Sequence, residues 1–372
     1  MLTERQLDQL VRAFEQRMQE IAEEYLTKMG EHLKSIGSLT ASDLHRLREL
    51  ARMDANLAGI RAKIAEAANI SASEVEAVLL AAAQSDVEFA QAWFGEAAAG
   101  ISASSPALLE IVRAQAAVTA GELVNLSRTT IESSLYREAI DAGIRAVQTG
   151  MTDYTSAIRK AVREAGAGGL RVQYPSGLTR RLDTAVRQNI LDGVRSLNRA
   201  YLDEIGREVG ADGVEISAHG LCAEDHLPYQ GGQYSNAQFE RIQQSLRRPF
   251  GKWNCKHTIY PIILGVSEPA YTAEQLERYR LSSSEEIEIG GKTRTRYQWT
   301  QVQRRIETEI REQKDIAIAA KAVGDDPLRR EVQRTINAYQ LQYDKISRAA
   351  GLEAQKNRMR VAGFHAVKAS KG

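Results

Sequence analysis

The stretch from Leu7 to Leu33, LDQLVRAFEQRMQEIAEEYLTKMGEHL, sets the character of this chain. Its large apolar residues recur at steps of three and four, which is the period of one face of an α-helix. They are Leu7, Leu10, Val11, Phe14, Met18, Ile21, Tyr25, Met29 and Leu33. Because an apolar face of this width has to be buried, the stretch predicts a helix that packs against other helices.

The residues that follow favour more long helices. Of the seven prolines only Pro106 precedes Pro175, so few positions interrupt a helix in this part of the chain. Ser71-Ala-Ser-Glu74 has the form of a capping box, and Thr40 followed by Asp43 is a weaker version, so each predicts a helix start. Helix breaks are predicted at Gly37, Gly95, Gly100 and 102–106. Residues 1–150 are therefore predicted to form a bundle of about five helices.

Beyond residue 150 the pattern alternates between short helices and short strands. Helices are predicted around 155–165 and 182–206. Alternating apolar residues predict a strand at 170–174, and 214–217 and 258–263 are two further candidate strands. Residues 151–268 are therefore predicted to form a small α+β core.

The C-terminal part, residues 269–372, is predicted to be a helix, a β-hairpin and a helical tail. Gly290-Gly291 lies between two strand-like segments, as in a two-residue hairpin turn. A charged helix is predicted from Thr300 to Val323, and a second helix ends near Ala350-Gly351. The fold class that follows for the whole chain is α+β and predominantly helical.

Charge and composition exclude several classes of protein. The chain has 43% hydrophobic and 26% charged residues and no apolar run long enough to span a membrane, so we expect no membrane association. Its start, Met1 to Arg5, lacks the layout of a signal peptide, so synthesis in the cytoplasm is expected. With 49 basic and 48 acidic residues, the net charge of +1 does not indicate a chain-wide nucleic-acid binder.

A local basic region is nevertheless present at the C-terminus. Residues 327–372 contain ten Lys/Arg against three Asp/Glu, a net charge of +7. This charge is typical either of a solvated helix face or of a contact with nucleic acid or an acidic protein. The candidate nucleic-acid contacts are Arg329, Arg330, Arg334, Arg358 and Arg360.

Chemically versatile side chains are concentrated between Ser217 and Gly265, which include three of the six histidines and both cysteines. One interpretation is a purely structural polar cluster, since buried polar groups need hydrogen-bond partners and a closed network would fix two long loops. Its members would be His219, Asp225, His226, Gln230, Asn254, Cys255 and His257.

A second interpretation is a metal site. Cys222 and His226 are four residues apart and would share a face if that stretch is helical, and Cys255 and His257 would share a face of a strand. Two thiolates and two imidazoles suit tetrahedral zinc, although the spacing matches no common zinc finger. The first prediction is no cofactor, with zinc as the alternative.

A third interpretation is catalytic. Cys255 would be a nucleophile, with His219, His226 or His257 as its base and Asp225 as the group that orients the base. The sequence cannot supply the geometry that such a triad requires, so no residue is assigned a catalytic role.

At these residues the chain resembles the phage minor capsid protein 2 family, which is related to the Mu F-like head-morphogenesis proteins. The matching positions are Ser217, Ala218, His219, Gly220, His226, Gln230, Gly231, Asn254, Cys255, His257, Pro261 and Gly265. Lys256 stands where the family often has Arg, and Leu221-Cys222 replaces a frequent Ala-Arg. The departure at Cys222 argues against a four-ligand site.

The resemblance also includes 172–177, 182–187 and 347–352, so it extends from Met151 to Arg360, whereas residues 1–150 match in style only. It implies a Mu F-like core within a structural minor head protein of a tailed phage, made in the host cytoplasm and present in the virion. The implied partners are the portal, capsid and scaffold proteins and packaged DNA. A kinship with ADP-ribosyltransferases, also suggested for the family, gives an enzymatic alternative with Arg187, His219, Asp225 and Cys255 as candidates.

Overall fold

The computed structural model describes residues 3–36, 43–98, 100–132, 138, 154–252 and 255–367. This part of the chain forms nine α-helices and eight short strands, which confirms a predominantly helical α+β fold. It divides into two compact units. Unit 1 comprises Met1–Ala13, Asn69–Leu123 and Arg187–Gln301, and unit 2 comprises Phe14–Ala68, Val124–Val186 and Val302–Gly372. The units are built from interleaved segments, and the three-part division at residues 150 and 268 stays a prediction.

The first helix is the one that the apolar stripe predicts. Helix α1 (Glu4–Ile36) buries almost the whole stripe, although Leu7 and Leu10 at its start are partly exposed. The buried residues are Val11, Phe14, Met18, Ile21, Tyr25, Leu26, Met29, Leu33 and Ile36. None of the described helices combines the length and the hydropathy that a membrane span requires.

The helix start predicted at Ser71 is wrong. Helix α2 runs without a break from Asp43 to Phe94, and Ser71 lies fully buried inside it. Ser73 donates its hydroxyl to the carbonyl of Ile70 (2.7 Å), so it bonds back to the preceding turn and does not cap a new helix. The weaker cap at Thr40 lies outside the described residues.

The predicted breaks at Gly95 and Pro106 are observed. A short 3-10 turn, Gly95–Ala98, follows α2 and starts at a glycine with φ of +57°. Helix α3 (Pro106–Thr129) then begins at the proline. The first N–H groups of a helix have no partner within the helix, so a proline at this position loses no hydrogen bond. Most of residues 130–153 lie outside the described part, so the number of helices before residue 150 stays a prediction.

Unit 2 contains a small antiparallel sheet of three strands in the order β1-β2-β3. These are β1 (Thr130–Glu132), β2 (Leu170–Gln173) and β3 (Thr179–Arg181). Helix α4 (Tyr154–Gly168) precedes β2, and α5 (Leu182–Glu208) begins directly after β3. The sequence predicted β2 and both helices but not β1 or β3, which have three residues each.

Unit 1 contains a second antiparallel sheet in the order β5-β4-β6. The central strand β4 (Gly213–Ile216) is buried at all four positions, between β5 (Gln233–Ser235) and β6 (Ile259–Ile262). Helix α6 (Asn236–Ser245) follows β5 through a capping box between Ser235 and Gln238. Strands β4 and β6 were predicted, and β5 and α6 were not.

The C-terminal elements agree with the sequence almost residue by residue. Helix α7 (Ala273–Ser284) leads to the hairpin of β7 (Glu286–Ile289) and β8 (Lys292–Thr295). Both turn glycines, Gly290 and Gly291, have positive φ (63° and 73°), as a type I′ turn requires. Helix α8 (Arg296–Val323) starts four residues earlier than predicted, and α9 (Asp326–Ala349) ends where expected.

A buried ion-pair network joins distant segments of unit 2. Arg181, at the end of β3, pairs with Asp315 of α8 and lies 3.4 Å from Asp183. Asp183 also pairs with Arg311 and accepts a hydrogen bond from Gln19 (3.1 Å). Burial by itself would raise the pKa of Asp183, but the two guanidinium groups hold it well below its ordinary value.

Replacing Asp183 by Asn should lower the free energy of unfolding by about 3–5 kcal/mol, because the largely buried Arg181 and Arg311 would then lack enough negative charge nearby. Urea unfolding followed by circular dichroism measures the change. Asp326→Asn is the matched control, since Asp326 is exposed and pairs with neighbouring Arg329. This control should cost less than about 1 kcal/mol. Equal losses of unfolding free energy in the two variants would contradict the stabilising role assigned to the network.

The same network predicts a pH dependence with a definite sign. Because the pKa of Asp183 is lowered on folding, its ionised form stabilises the protein above the ordinary pKa of Asp, and that contribution is lost as the pH falls through the folded value. The difference in unfolding free energy between wild type and Asp183→Asn should be constant from pH 7 to about 5 and should shrink below about pH 4. A difference that grows on acidification would refute the assignment.

Candidate functional site

Two loops of unit 1 meet where β4 and β6 lie side by side. We call residues 217–232 loop A and residues 246–258 loop B; residues 253 and 254 of loop B are not described. The pairing of Ile216 with Ile259 brings Ser217 next to Thr258. The Ser217 N–H donates to the Thr258 carbonyl, and the Thr258 N–H donates to the Ser217 hydroxyl, both at 2.8 Å. These bonds fasten the two loops together beside the sheet.

The other end of loop A returns to the same strand. The Gly231 N–H donates to the Ile216 carbonyl (2.7 Å), and the Ile216 N–H donates to the Gly232 carbonyl (3.1 Å). Gly231 has φ of +73°, and a Cβ there would lie 2.2 Å from Leu276. Only glycine fits this close approach, so loop A closes on β4 at a glycine.

Cys255 of loop B lies at the centre of the site. Its Sγ is 3.6 Å from Nδ1 of His226 and 3.3 Å from Nδ1 of His257. All three side chains are buried, with His226 completely inaccessible. One ligand atom from each of these residues lies within 4.8 Å of the other two. Loop A therefore supplies one imidazole and loop B supplies the second imidazole and the thiol.

The second nitrogen of each imidazole has an oxygen partner. His226 Nε2 is 2.6 Å from the carbonyl of Arg248, and His257 Nε2 is 3.3 Å from Oε1 of Gln230. The same Oε1 accepts the backbone N–H of His219 (3.1 Å), which fixes the orientation of the amide. Because carbonyl oxygens only accept, both rings carry their proton on Nε2 and point the Nδ1 lone pair at Cys255.

Aromatic and apolar groups enclose the cluster. The ring centroid of Phe250 lies 4.2 Å from the ring centroid of His226 and 5.0 Å from that of His257. The ring of His219 lies 4.4 Å from that of His257 on another side. Val214, Ile216 and Phe239 pack in the same apolar core as Cys255. The surroundings of the site are thus largely apolar.

Burial keeps all three central groups neutral. It lowers the pKa of His257 to about 2, with further repulsion from His219, His226 and Arg248. Burial also lowers the pKa of His226 and raises the pKa of the Cys255 thiol. An uncharged thiol beside uncharged imidazoles is stable in this apolar environment, whereas a thiolate–imidazolium pair is disfavoured.

The predicted structural cluster is therefore assembled only in part. His219, His226, Gln230, Cys255 and His257 are brought together by the two loops. Asp225 is exposed, and its Oδ2 lies 3.9 Å from His226 Nε2, which already faces the Arg248 carbonyl. Asn254 lies outside the described residues.

Cys222 does not join the predicted four-ligand metal set. Loop A is not helical between Cys222 and His226, so the condition under which they would share a face is not met. The Cys222 Sγ lies 3.6 Å from Nε2 of His257, on the opposite side of the ring from Cys255, and it donates to the Ala223 carbonyl (3.3 Å). Its backbone N–H is held by Ser283 of α7 (3.0 Å). The remaining three predicted ligands do converge.

The residues proposed for an enzyme do not form a triad. Cys255 is 3% exposed, and Asp225 Oδ2 is 3.9 Å from His226 Nε2, too far for the hydrogen bond that would orient the ring, while the Arg248 carbonyl occupies that nitrogen at 2.6 Å. Arg187, a candidate on α5, forms an ion pair with Asp8 of α1. The arrangement does not present an activated nucleophile to a substrate.

The basic candidates of the C-terminal part have different environments. Arg330, Arg334 and Arg360 are exposed. Arg329 pairs with Asp326 (2.9 Å). Arg358 is half-buried, and its positive charge partly offsets the burial that raises the pKa of Glu307.

The sequence did not reveal the groups that hold the two imidazoles and the loops in place. Arg248 contributes a backbone carbonyl, which no side-chain pattern signals. Ser283 supports loop A from a helix sixty-one residues away. Phe250 lies within the Ser217–Gly265 segment and could have been identified as a packing residue beside two buried histidines.

Comparison with known proteins adds a family to this geometry. A search of curated proteins and a search of solved structures each gave no match. The sequence model of the family described as "Phage minor capsid protein 2" matches residues 2–345. The match begins at the N-terminus, so the resemblance confined to Met151–Arg360 was too narrow at that end. Since the match spans most of the 372 residues, the chain belongs to the phage minor capsid protein 2 family.

Proposed function

We propose that this chain, a structural minor capsid protein of a bacteriophage head, associates with the portal protein and the capsid interior of a tailed phage during head assembly. The observation that carries the proposal is the family match, which includes both the helical N-terminal segment and the two loops around Cys255. The buried state of Cys255, His226 and His257 supports a structural role, because these reactive side chains are withheld from solvent.

Portal association predicts that incorporation of the chain into heads depends on the portal. Procapsids assembled in the presence of portal protein should contain this chain, and cross-linking followed by mass spectrometry should join it to portal peptides. Procapsids assembled from the same capsid and scaffold proteins without portal are the control and should lack it.

Two results would contradict the proposal. Equal amounts of the chain in both kinds of procapsid would remove the portal as its partner. Absence from procapsids and from mature virions would remove the role in the head altogether.

A second part of the proposal concerns packaged DNA and rests on α9. Six exposed residues of this helix are spaced by three or four positions and share one face: Arg330, Arg334, Asn337, Leu341, Lys345 and Arg348. Four of them are basic, and we call Arg330, Arg334, Lys345 and Arg348 the basic stripe. The opposite face is buried through Leu328, Val332 and Ile336, so the helix is held with its positive charge outward. A line of cations at this spacing fits the phosphates of a DNA backbone.

Charge removal tests the basic stripe. The double variant Arg330→Gln, Arg334→Gln should weaken binding to duplex DNA of any sequence and should lower the slope of log affinity against log salt by up to about 2, since each lost phosphate contact removes about 0.9. Fluorescence anisotropy at several salt concentrations measures both effects.

Arg280→Gln is the control, because Arg280 is exposed in unit 1 and pairs with Glu277. Compared with wild type, it should change neither the affinity nor the slope by a comparable amount. If the double variant binds DNA like wild type, the stripe does not contact DNA. If the double variant instead no longer binds an acidic head protein that wild type binds in a pull-down, that protein is the partner of the stripe.

A further inference from the structure

We propose that Nδ1 of His226, Sγ of Cys255 and Nδ1 of His257 bind one zinc ion, which fastens loop A to loop B. This site differs from the four-residue set that the sequence suggested, because it excludes Cys222. It is independent of the role proposed for the chain in head assembly.

The distances agree with those of a tetrahedral zinc site. Zinc lies about 2.3 Å from a thiolate sulfur and about 2.0–2.1 Å from an imidazole nitrogen, so the sulfur and nitrogen of two ligands are about 3.6 Å apart. In the structure Cys255 Sγ is 3.6 Å from Nδ1 of His226 and 3.3 Å from Nδ1 of His257. Both sulfur–nitrogen distances are therefore already those of zinc ligands before any ion is bound.

The protons of the cluster also leave room for a cation. Each ring donates its Nε2 proton to an oxygen, so each has a lone pair on Nδ1 facing the same sulfur. The Cys255 thiol has a single proton and can donate it to only one of these two nitrogens. Three electron-pair donors thus converge at a buried position with one proton among them. A cation satisfies all three, whereas hydrogen bonding among the described residues leaves one buried acceptor without a donor.

The surroundings of the two rings are those of metal ligands. A metal-bound histidine usually donates its other N–H to a carbonyl or carboxylate, which fixes the ring and increases its basicity. The Arg248 carbonyl does this for His226 at 2.6 Å, and Gln230 Oε1 does it for His257 at 3.3 Å. Both partners are held by the protein, since Gln230 is 7% exposed and is fixed by the His219 N–H.

The ligand set and its access favour zinc. One thiolate and two imidazoles suit zinc, and they supply three of its four tetrahedral positions, with a water for the fourth. On binding, the Cys255 thiol transfers its proton to solvent and the resulting thiolate coordinates the ion. His257 also lines a cavity of about 470 Å³ in unit 1, together with Phe250, Lys256 and Thr258, and this cavity gives the ion a way in.

The two cysteines provide a matched pair of variants. The full chain, purified without chelators, should contain about one zinc per molecule by elemental analysis. Cys222→Ser should keep this zinc, because Cys222 faces the other nitrogen of His257. Cys255→Ser should lose it. Gln230→Met, which removes the acceptor for His257, should weaken zinc binding by about 10- to 100-fold in competition with a chelator.

Cobalt provides a readout that needs no variant. Wild-type protein stripped of metal and loaded with Co²⁺ should show a thiolate-to-cobalt charge-transfer band in the near ultraviolet, and Cys222→Ser should keep the band. Circular dichroism of each variant shows whether it is folded. The proposal is overturned if wild type binds neither zinc nor cobalt, if the cobalt band is missing, or if Cys222→Ser loses as much metal as Cys255→Ser.

Discussion

The orientation of two buried imidazole rings controls the arrangement of loops A and B. Each ring donates one N–H to an oxygen, His226 to the Arg248 carbonyl and His257 to Gln230. A carbonyl cannot donate in return, so the direction of both rings is fixed and their Nδ1 atoms converge on Cys255. Because His226 belongs to loop A and Arg248 to loop B, this one constraint holds the loops together. The bonds between Ser217 and Thr258 then attach the pair to β4 and β6.

In unit 2, ion pairs hold distant segments of the chain together. Arg181 ends β3, and the residues it contacts, Asp183 and Asp315, lie at the start of α5 and within α8. Both carboxylates are buried and Arg181 is largely buried, so each charge needs its partners at the correct positions. Neutral imidazoles organise unit 1 and paired ions organise unit 2. In both units a polar group is stable in only one arrangement of the chain, which gives specificity that apolar packing alone does not.

The sequence predicted those features that depend on local periodicity. The stripe of α1, the glycine turn between β7 and β8 and the helix α9 were all visible as patterns. Ser71 misled because a capping box is a four-residue pattern, whereas α2 is continued by the apolar residues on both sides of it. Local patterns fail where burial along a longer helix decides the outcome.

The site was predicted in composition but not in geometry. His226, Cys255 and His257 were identified from residue type, but the assumption of a helix placed Cys222 beside His226, and loop A is instead supported by Ser283. The pairing of Asp183 with Arg311 joins positions 128 residues apart, so no spacing rule indicates it. The role of the Arg248 carbonyl could not be predicted for a different reason, since every residue has a backbone carbonyl. What the sequence lacked was therefore the partner of each polar group.

A structural role and a proposed zinc site are not opposed interpretations of the loops. Both follow from the same fact, that polar side chains are buried among Phe250, Val214 and Ile216 and must be satisfied there. Hydrogen bonds satisfy the Nε2 side of each ring, and the proposed ion satisfies the Nδ1 side. An ion bound by residues of two loops stabilises the folded form only, because the unfolded chain does not hold its ligands together. In a structural protein of the phage head, such an ion would keep loop A fixed to loop B.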